Sequence, residues 1–296
     1  MNRTFEMICK MSQDALKEYV ARRLNETHKS VVCGDGYVFA QGDFPVLLVA
    51  HLDTVHSELP YLIMYNKTQD SLSSPNGIGG DDRCGVYMIF EVLRKYNCSV
   101  LFCEDEEVGG VGARLFTKTD LADGLKFNYI IEFDRRGSND AVFYDCDNPE
   151  FTEFVTKEFY EEAHGSFSDI SIVAPALGCA AVNLSCGYYN AHTKDEYVVL
   201  SEMYASIDAA CKILERTTED DKFEYIEAEY DYSGLYGGYY GHVEYYYIIS
   251  YIGDKDNYEY YDTWALSNYE AIGRFLYDNP GLSYNDIVEI YCDDKM

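Results

Sequence analysis

Apolar residues recur at helical spacing in two segments of the chain. In the first segment, residues 12–24, they are Leu16, Tyr19, Val20 and Leu24. In the second segment, residues 84–96, they are Val86, Ile89, Phe90 and Leu93. Residues spaced three and four apart lie on one face of a helix, so the spacing predicts two helices that each bury one face.

Between these helices, a continuous apolar run predicts a buried strand. Residues 46–50 read VLLVA, with no polar position among them. Such a run is typical of a strand that is covered on both faces of its sheet. Upstream, residues 29–43 have the pattern of a hairpin that turns at Gly34, Asp35 and Gly36.

Predicted strands and helices go on alternating up to about residue 216. They are a strand at 99–102, a helix at 111–117, a strand at 128–134, a helix at 150–163, a strand at 179–185 and a helix at 201–214. This alternation predicts an α/β fold in which helices cover both faces of a sheet.

The pattern changes after residues 217–222, where the chain becomes rich in tyrosine and glycine. A helix is predicted over residues 268–279, with Ser267 and Glu270 as its capping box, and a last strand is predicted in SYNDIVEIY. We therefore predict an α/β domain over residues 1–221 and a small α+β domain over residues 222–296. The tyrosines either pack inside the small domain or form a face that binds a substrate or partner.

The composition limits the classes of partner. The chain has 296 residues, 47% of them hydrophobic, and a formal net charge of −29. Because this charge repels phosphates, we expect neither nucleic acid nor an anionic membrane as a partner. The charge is compatible with cationic ligands and divalent metals, and also with a solvated acidic surface alone. No apolar run approaches the roughly 18 residues of a membrane helix and no signal peptide is recognisable, so we expect a soluble, cytoplasmic protein.

The ten cysteines include no CxxC pair, and most of them lie in apolar stretches. We interpret them as buried thiols rather than as disulfides or thiolate metal ligands.

Residue types that bind metals follow several of the predicted strands. The sets are His51 and Asp53 after the run at 46–50, four acids (104–107) after the strand at 99–102, Asp134 at the end of the strand at 128–134, and His192 in a turn after the strand at 179–185. Asp81 and Asp82 directly precede a predicted helix. Because functional groups of α/β sheets cluster beyond the carboxyl ends of strands, we expect these side chains to converge.

Two histidines and three or more carboxylates suit zinc or a similar divalent ion. Two such ions about 3.5–4 Å apart share a carboxylate, and the residues suffice for one histidine and one acid per ion plus one shared acid. The spacing His51-Leu52-Asp53 allows Asp53 to support the ring nitrogen that His51 does not use for metal. Each motif is common by itself, but their occurrence together and in this order predicts a two-metal site.

The segments HLDTV, GIGGDDRCGV, CEDEEVGG, EFD and GYYNAHTKDE together resemble the co-catalytic two-zinc exopeptidases. That group includes peptidase T, bacterial leucyl aminopeptidase and the deacylases of N-acyl amino acids. The resemblance covers roughly residues 45–215. It implies a phosphorylase/hydrolase-like fold, with a mixed, mostly parallel sheet between helices, and two divalent metal ions, zinc being the first choice. By this resemblance, His51 and Asp134 would bind one metal, Glu107 and His192 the other, and Asp81 would bridge them.

The resemblance also implies roles for residues around the metals. Asp53 would orient the first histidine, and Asp82 would hold the bridging residue through an unusual peptide geometry. Glu106 would be the general base, taking a proton from the water between the metals and passing it to the leaving amine. Adjacent side chains diverge, so Glu106 can face the water while its neighbour binds metal. We assign no role to Glu104 and Asp105.

Other residues are weaker candidates. We interpret His56 as a loop residue rather than as a third imidazole ligand. Arg135 and Arg136 either bind a substrate carboxylate or neutralise the acids beside them. Asp169 resembles a position near the substrate amine in the same family.

One departure from the family affects access to the site. Peptidase T and the deacylases commonly carry a lid or dimerisation domain between the ligands that correspond to Asp134 and His192. The stretch between these residues is too short here for such a domain. We therefore expect an open, aminopeptidase-like site whose access the C-terminal domain could shape.

The leading hypothesis is a two-zinc metallo-exopeptidase, an aminopeptidase that acts on small peptides. A deacylase of N-acyl amino acids or related metabolites would use the same metal chemistry and stays open. A binding module without catalysis is less favoured, because no ligand and no base is missing. A homo-oligomer, and a partner protein docked on the tyrosine-rich end, also stay open.

Overall fold

A computed structural model of the chain describes residues 3–228, 245–252, 258–265, 268–279, 281–282 and 287–293. The chain forms two compact units, Met1–Glu229 and Tyr230–Met296. The division between them falls eight residues beyond the predicted boundary between residues 221 and 222, since 229 − 221 = 8.

The segment that follows the last helix of the first unit accounts for this difference. The ring of Phe223 lies 5.1 Å from the rings of Phe151 and Phe154, measured between centroids. The backbone carbonyl of Phe223 accepts a 2.9 Å hydrogen bond from the N–H of Ala180. These contacts attach the start of the predicted small domain to the first unit. The separate roles predicted for residues 1–221 and 222–296 stay a prediction.

Twelve strands are described in the first unit, and eight of them form its main sheet. The strands are β1 (Ser30–Gly34), β2 (Tyr37–Gln41), β3 (Phe44–His51), β4 (Met64–Asn66), β5 (Ser71–Ser73), β6 (Cys98–Cys103), β7 (Tyr129–Arg135), β8 (Asp140–Val142), β9 (Glu161–Ala163), β10 (Ala181–Ser185), β11 (Tyr188–Tyr189) and β12 (Tyr197–Val199). The order in the main sheet is β1-β2-β6-β3-β7-β10-β8-β9. The inner strands β6, β3, β7 and β10 run parallel, whereas β1 with β2, β2 with β6, and β10 with β8 are antiparallel. This is the mixed, mostly parallel sheet that the family resemblance implied.

Helices pack on both faces of this sheet. They are α1 (Arg3–Cys9), α2 (Gln13–Asn25), α3 (Gly80–Val92), α4 (Val111–Thr117), α5 (Asp120–Asp123), α6 (Pro149–Thr156), α7 (Ile170–Leu177) and α8 (Leu200–Arg216). Alternate residues of the central strand β3 enter two separate cores. Val46, Leu48 and Ala50 share one core with α1, α2, α3, α6 and α8. Leu47 and Val49 share the other with α4, α5 and α7.

Several short elements were not predicted from the sequence, and two of the differences have a clear physical reason. The helix predicted over residues 150–163 ends at Thr156, and its last part is the strand β9, which pairs with β8 at the edge of the sheet. The acids Glu161 and Glu162 of β9 are exposed, so no apolar pattern marks this edge strand. Helix α1, which buries Phe5 and Ile8, was not predicted because it is only two turns long.

A second, smaller sheet carries one of the predicted ligands. Its strands are antiparallel in the order β11-β12-β5-β4. The connection between β11 and β12 spans residues 190–196 and contains His192. His192 therefore reaches the site from a hairpin rather than from the main sheet.

The second unit is a small α+β structure. Its described elements are β13 (Tyr245–Ile252), β14 (Tyr258–Ala265), α9 (Asn268–Asp278) and β15 (Ile287–Asp293), with the antiparallel order β14-β13-β15. Phe275 of α9 packs on Tyr251 and Tyr261, with ring centroids 4.8 and 5.4 Å apart. Part of the tyrosine content thus forms a core, although Tyr260 is 71% exposed. The predicted cap residue Ser267 lies outside the described residues.

The described helices and the cysteines have simple properties. Among the helices of the described residues, none combines the length and the apolar character that a membrane crossing requires. The cysteines whose side chains are described are free thiols, and all of them except Cys33 are buried. This agrees with their interpretation as buried thiols.

Candidate metal centre

The predicted site residues meet at one edge of the main sheet. The parallel strands β3, β6 and β7 end at His51, Cys103 and Arg135, so their carboxyl ends lie side by side. Six side chains form three overlapping groups, and within each group the donor atoms lie within 4.8 Å of one another. The groups are His51 with Asp81 and Asp134, Asp81 with Glu107 and His192, and His51 with Glu106 and Glu107.

Asp81 stands between the two histidines. Its Oδ1 lies 3.0 Å from Nε2 of His51, and its Oδ2 lies 3.2 Å from Nε2 of His192. Each oxygen of one carboxylate thus faces a different imidazole. A carboxylate shared by two metal ions presents its oxygens in this way.

A further carboxylate accompanies each histidine. Oδ1 of Asp134 lies 3.5 Å from Nε2 of His51, and Oε1 of Glu107 lies 3.1 Å from Nε2 of His192. This Oε1 is buried and accepts no hydrogen bond, despite its short distance to the imidazole. A buried polar atom without a hydrogen bond is costly. Imidazole nitrogens and carboxylate oxygens that converge in this manner fit a divalent cation.

Asp53 connects His51 to the loop that carries the two adjacent glutamates. Its Oδ1 lies 3.0 Å from Nδ1 of His51. Its two carboxylate oxygens also accept the backbone N–H groups of Glu106 and Glu107, each at 3.0 Å. Burial opposes the charged form of Asp53, but the hydrogen bond and the charge of His51 and these two N–H groups lower its pKa. Since Asp53 occupies Nδ1, Nε2 of His51 is the nitrogen available to a metal.

Glu106 belongs to the same cluster and has a perturbed pKa. Burial raises the pKa of Glu106 well above its ordinary value; the charge of His51 opposes this shift, and the negative charges of Asp134, Asp169 and Glu107 add to it. A carboxyl group with a raised pKa can take up a proton and release it again near neutral pH.

The carboxylates of the site together stabilise positive charge on groups placed among them. The carboxylates of Asp81 and Glu107 raise the pKa of His192 to about 10. Burial alone would lower the pKa of His51, but Asp134 and Asp81 raise it well above its usual range. Conversely, burial would raise the pKa of Asp81, and the hydrogen bonds from His192 and His51 lower it. Carboxylates this close together need positive charge between them to stay ionised.

Asp82 supports the site from the backbone side. The peptide bond between Asp81 and Asp82 is cis, which is the kind of unusual geometry that the resemblance implies. The Asp82 carboxylate accepts the backbone N–H of His51 at 3.2 Å and that of Gly85 at 2.8 Å. Asp82 is fully buried and is a member of none of the three donor groups.

The remaining two acids of the run at 104–107 have partners on α2. Glu104 forms an ion pair with Lys17. Oδ1 of Asp105 accepts a 3.0 Å hydrogen bond from Nε2 of Gln13. The four adjacent carboxylates therefore divide between the candidate metal centre and this helix, which explains how they can stand side by side.

The weaker candidates lie outside the three donor groups. Arg135 forms an ion pair with Asp140 at 3.0 Å and so neutralises an acid, while Arg136 is exposed. Nε2 of His56 lies 2.8 Å from Oε2 of Glu196. Asp169 is fully buried beside the acidic loop, and burial raises its pKa to about 7.

Sequence reasoning missed a buried polar network behind Asp134. Oγ of Ser168 lies 2.9 Å from Oδ2 of Asp134 and 2.5 Å from Oε2 of Glu132. Oδ1 of Asn183 accepts the backbone N–H of Asp134 at 2.9 Å. Glu132 is fully buried, and burial raises its pKa well above the usual value. A pattern could have revealed it, because Glu132 interrupts an apolar strand two residues before Asp134 and so lies on the same face.

Glu196 is a second residue that sequence reasoning missed. Its Oε2 accepts the N–H of Gly79 at 2.7 Å, and its Oε1 accepts the N–H of Asp81 at 3.0 Å. In the sequence it follows Lys194 and Asp195 in a polar loop, and no pattern there distinguishes it from an acid that is exposed to solvent.

No protein-family model matches the sequence, and no curated protein matches it either. Solved structures match by their fold. Aminopeptidase PepT from Bacillus cereus superposes with a TM-score of 0.59 at 12% identity, over 72% of this chain and 96% of the other. A TET aminopeptidase from a marine sediment archaeon, Thaumarchaeota archaeon SCGC AB-539-E09, gives a TM-score of 0.56 at 12% identity, over 73% and 96% of the two chains. A Zn-dependent exopeptidase from Parabacteroides distasonis superposes with a TM-score of 0.52 at 13% identity, over 71% of this chain and 94% of the other.

The chain has the fold of these peptidases. The fold class predicted from the sequence is thereby confirmed, as is the resemblance at the level of the fold. At 12–13% identity, the likeness extends to the architecture and not to an activity.

Proposed function

We propose that the first unit of this protein is a two-metal hydrolase that removes the N-terminal residue from small peptides. The observation that carries the proposal is the position of Asp81, which presents one carboxylate oxygen to each of two histidines. The neighbours in fold include an aminopeptidase and an exopeptidase by name, which supports peptides as the substrate class.

His51 and Asp134 would hold one metal ion, His192 and Glu107 would hold the other, and Asp81 would belong to both. These residues offer two imidazole nitrogens and three carboxylates, a donor set that zinc accepts. The zinc dependence in the name of the Parabacteroides distasonis protein supports this choice of metal. Bound ions of this kind polarise the scissile carbonyl and make water more acidic.

Glu106 is the general base of the proposed reaction. It takes a proton from the attacking water and delivers it to the leaving amine. Burial raises its pKa above the ordinary value of a glutamate, which makes its carboxylate a stronger base. Asp53 accepts the consecutive backbone N–H groups of Glu106 and Glu107, so the loop is fixed while the adjacent side chains can serve different functions.

A deacylase would use the same residues in the same roles. Both reactions break an amide bond with water, and they differ in the group on the N-terminal side of that bond. A peptidase of this kind accepts a free amine there, whereas a deacylase releases an acyl group. The experiment that tests for an aminopeptidase can therefore also detect a deacylase.

Metal analysis combined with a matched substrate screen tests the proposal. The metal content of the purified protein is measured, and the zinc-loaded protein is then assayed on short peptides and on the same peptides with acetylated N-termini. We expect two ions per chain and release of the N-terminal residue from the free peptides only. Release of acetate from the acetylated set would instead identify a deacylase. Two bound ions without turnover of either set would contradict the proposed activity.

Three expectations about the whole protein stay predictions. They are the separate roles of the two predicted domains, the homo-oligomer, and the cytoplasmic location.

A further inference from the structure

Glu196 contacts the backbone of the proposed bridging ligand without belonging to the metal centre. Its side chain is fully buried and receives three donors. The N–H of Asp81 reaches Oε1 at 3.0 Å, while the N–H of Gly79 and Nε2 of His56 reach Oε2 at 2.7 and 2.8 Å. A buried carboxylate is costly unless hydrogen bonds satisfy it, and here two of the three donors belong to the segment that carries Asp81.

The glycines of the GIGG motif fit around this carboxylate and its histidine. Gly77 has a φ of +88°, and a Cβ there would lie 2.2 Å from Cε1 of His56. A Cβ on Gly80 would lie 2.7 Å from Cγ2 of Val198 and 3.3 Å from Oε1 of Glu196. A side chain at position 77 would force the ring of His56 away from the turn, and one at position 80 would collide with Val198 beside the Glu196 carboxylate. The close packing therefore accounts for a motif that the metal ligands alone do not explain.

Hydrogen bonds anchor the chain at Asp81 and at the next residue, Asp82. Glu196 holds the N–H of Asp81, and the carboxylate of the next residue, Asp82, holds the backbone of His51. Between these anchors, the two oxygens of Asp81 face two different histidines. Metal ligands must be held to within about 0.5 Å of their productive positions, and backbone anchors of this type achieve that.

We infer that the His56–Glu196 pair is a positioning device that sets the carboxylate of Asp81 between two metal ions. This inference rests on the proposed function, since it presumes that Asp81 is shared. Neither His56 nor Glu196 is in any of the three donor groups, so the pair acts through Asp81 and not as a ligand. Loss of such an outer partner lowers metal affinity by about 10–100-fold.

The variant Glu196→Gln tests the device. The glutamine amide keeps the size of the side chain but replaces one acceptor oxygen with an NH₂ group, which faces backbone donors. We expect zinc affinity, measured by competition with a chromophoric chelator, to fall by about 10–100-fold, and the visible absorption spectrum of the cobalt-loaded protein to change. The matched control is Glu202→Gln on α8, whose carboxylate accepts a 2.6 Å hydrogen bond from the hydroxyl of Tyr189. The control removes the same charge and should leave both readouts unchanged.

If Glu196→Gln does not fold, the variant His56→Ala tests the positioning role instead. His56→Ala leaves both backbone hydrogen bonds to Glu196 and should give a smaller loss of zinc affinity, which His56→Gln, with its N–H donor, should partly restore. If folded Glu196→Gln or His56→Ala protein binds zinc as tightly as the wild type, with the same cobalt spectrum, the pair has only a structural role and the inference is overturned. In that case the wild type still binds two ions, so the proposed function stands. A wild-type protein that binds no zinc would overturn the proposed function, and this inference with it.

Discussion

The backbone N–H of Glu106 donates a 3.0 Å hydrogen bond to Oδ1 of Asp53. The same oxygen lies 3.0 Å from Nδ1 of His51. One carboxylate therefore fixes both the backbone of the proposed base and the ring of a proposed metal ligand. This arrangement leaves the Glu106 side chain available for proton transfer, because the loop is held through its backbone.

Replacing Glu106 with glutamine should abolish most turnover while leaving the metal content near two ions per chain. The amide has nearly the same size but cannot take the proton from water, so we expect kcat to fall by about 10²–10⁴-fold. Steady-state kinetics and metal analysis on the same preparation check this. The control is Asp105→Asn, which changes the adjacent acid that bonds to Gln13, and it should keep nearly full activity. Wild-type turnover in Glu106→Gln would show that another group is the base.

The fold was largely predictable from the sequence. The apolar run of β3 and the helical spacing of α2 and α3 report burial directly, because a face that packs must be apolar. The edge strand β9 has exposed acids and α1 is short, so neither leaves a pattern of that kind.

The candidate site was predictable for another reason. The carboxyl ends of parallel strands lie together, so residues that follow such strands converge however far apart they are in the chain. Glu196 could not be found in this way. It bonds to Asp81 across 115 positions, and only the folded chain shows that its loop turns inward.

Lys17 should stabilise the fold through its ion pair with Glu104. Both side chains are mostly buried, with 23% and 10% of their surfaces exposed. Lys17→Met would leave the Glu104 carboxylate without its charged partner, and we expect the free energy of unfolding to fall by about 1–3 kcal/mol. Urea denaturation measures this loss. In a Glu104→Gln background the same substitution should cost less, because the two residues are coupled. Strictly additive losses would show that the pair contributes nothing.

Asp169 should make the metal-free protein less stable as the pH rises. Burial raises its folded pKa to about 7, so the folded state favours the protonated carboxyl group. Its contribution to stability is therefore complete below the unfolded value near 3.8 and is lost as the pH rises through 7. Three pKa units correspond to about 4 kcal/mol.

Comparing the wild type with Asp169→Asn isolates the contribution of Asp169 to the pH dependence of stability. Unfolding free energies of both proteins are measured in the presence of a chelator between pH 5 and pH 8. The variant should gain stability relative to the wild type across this range, since its amide does not ionise. A difference that is constant with pH would mean that Asp169 ionises at its ordinary pKa.

We expect Asp81 to be shared by two metal ions, one at each of its carboxylate oxygens. A crystal structure of the zinc-loaded protein, with anomalous data collected on both sides of the zinc edge, measures this directly. We expect two anomalous peaks about 3.5–4 Å apart, each within bonding distance of a different oxygen of Asp81. One peak should lie next to Nε2 of His51 and the other next to Nε2 of His192. A single peak, or peaks that leave Asp81 uncoordinated, would show that two ions do not share this carboxylate.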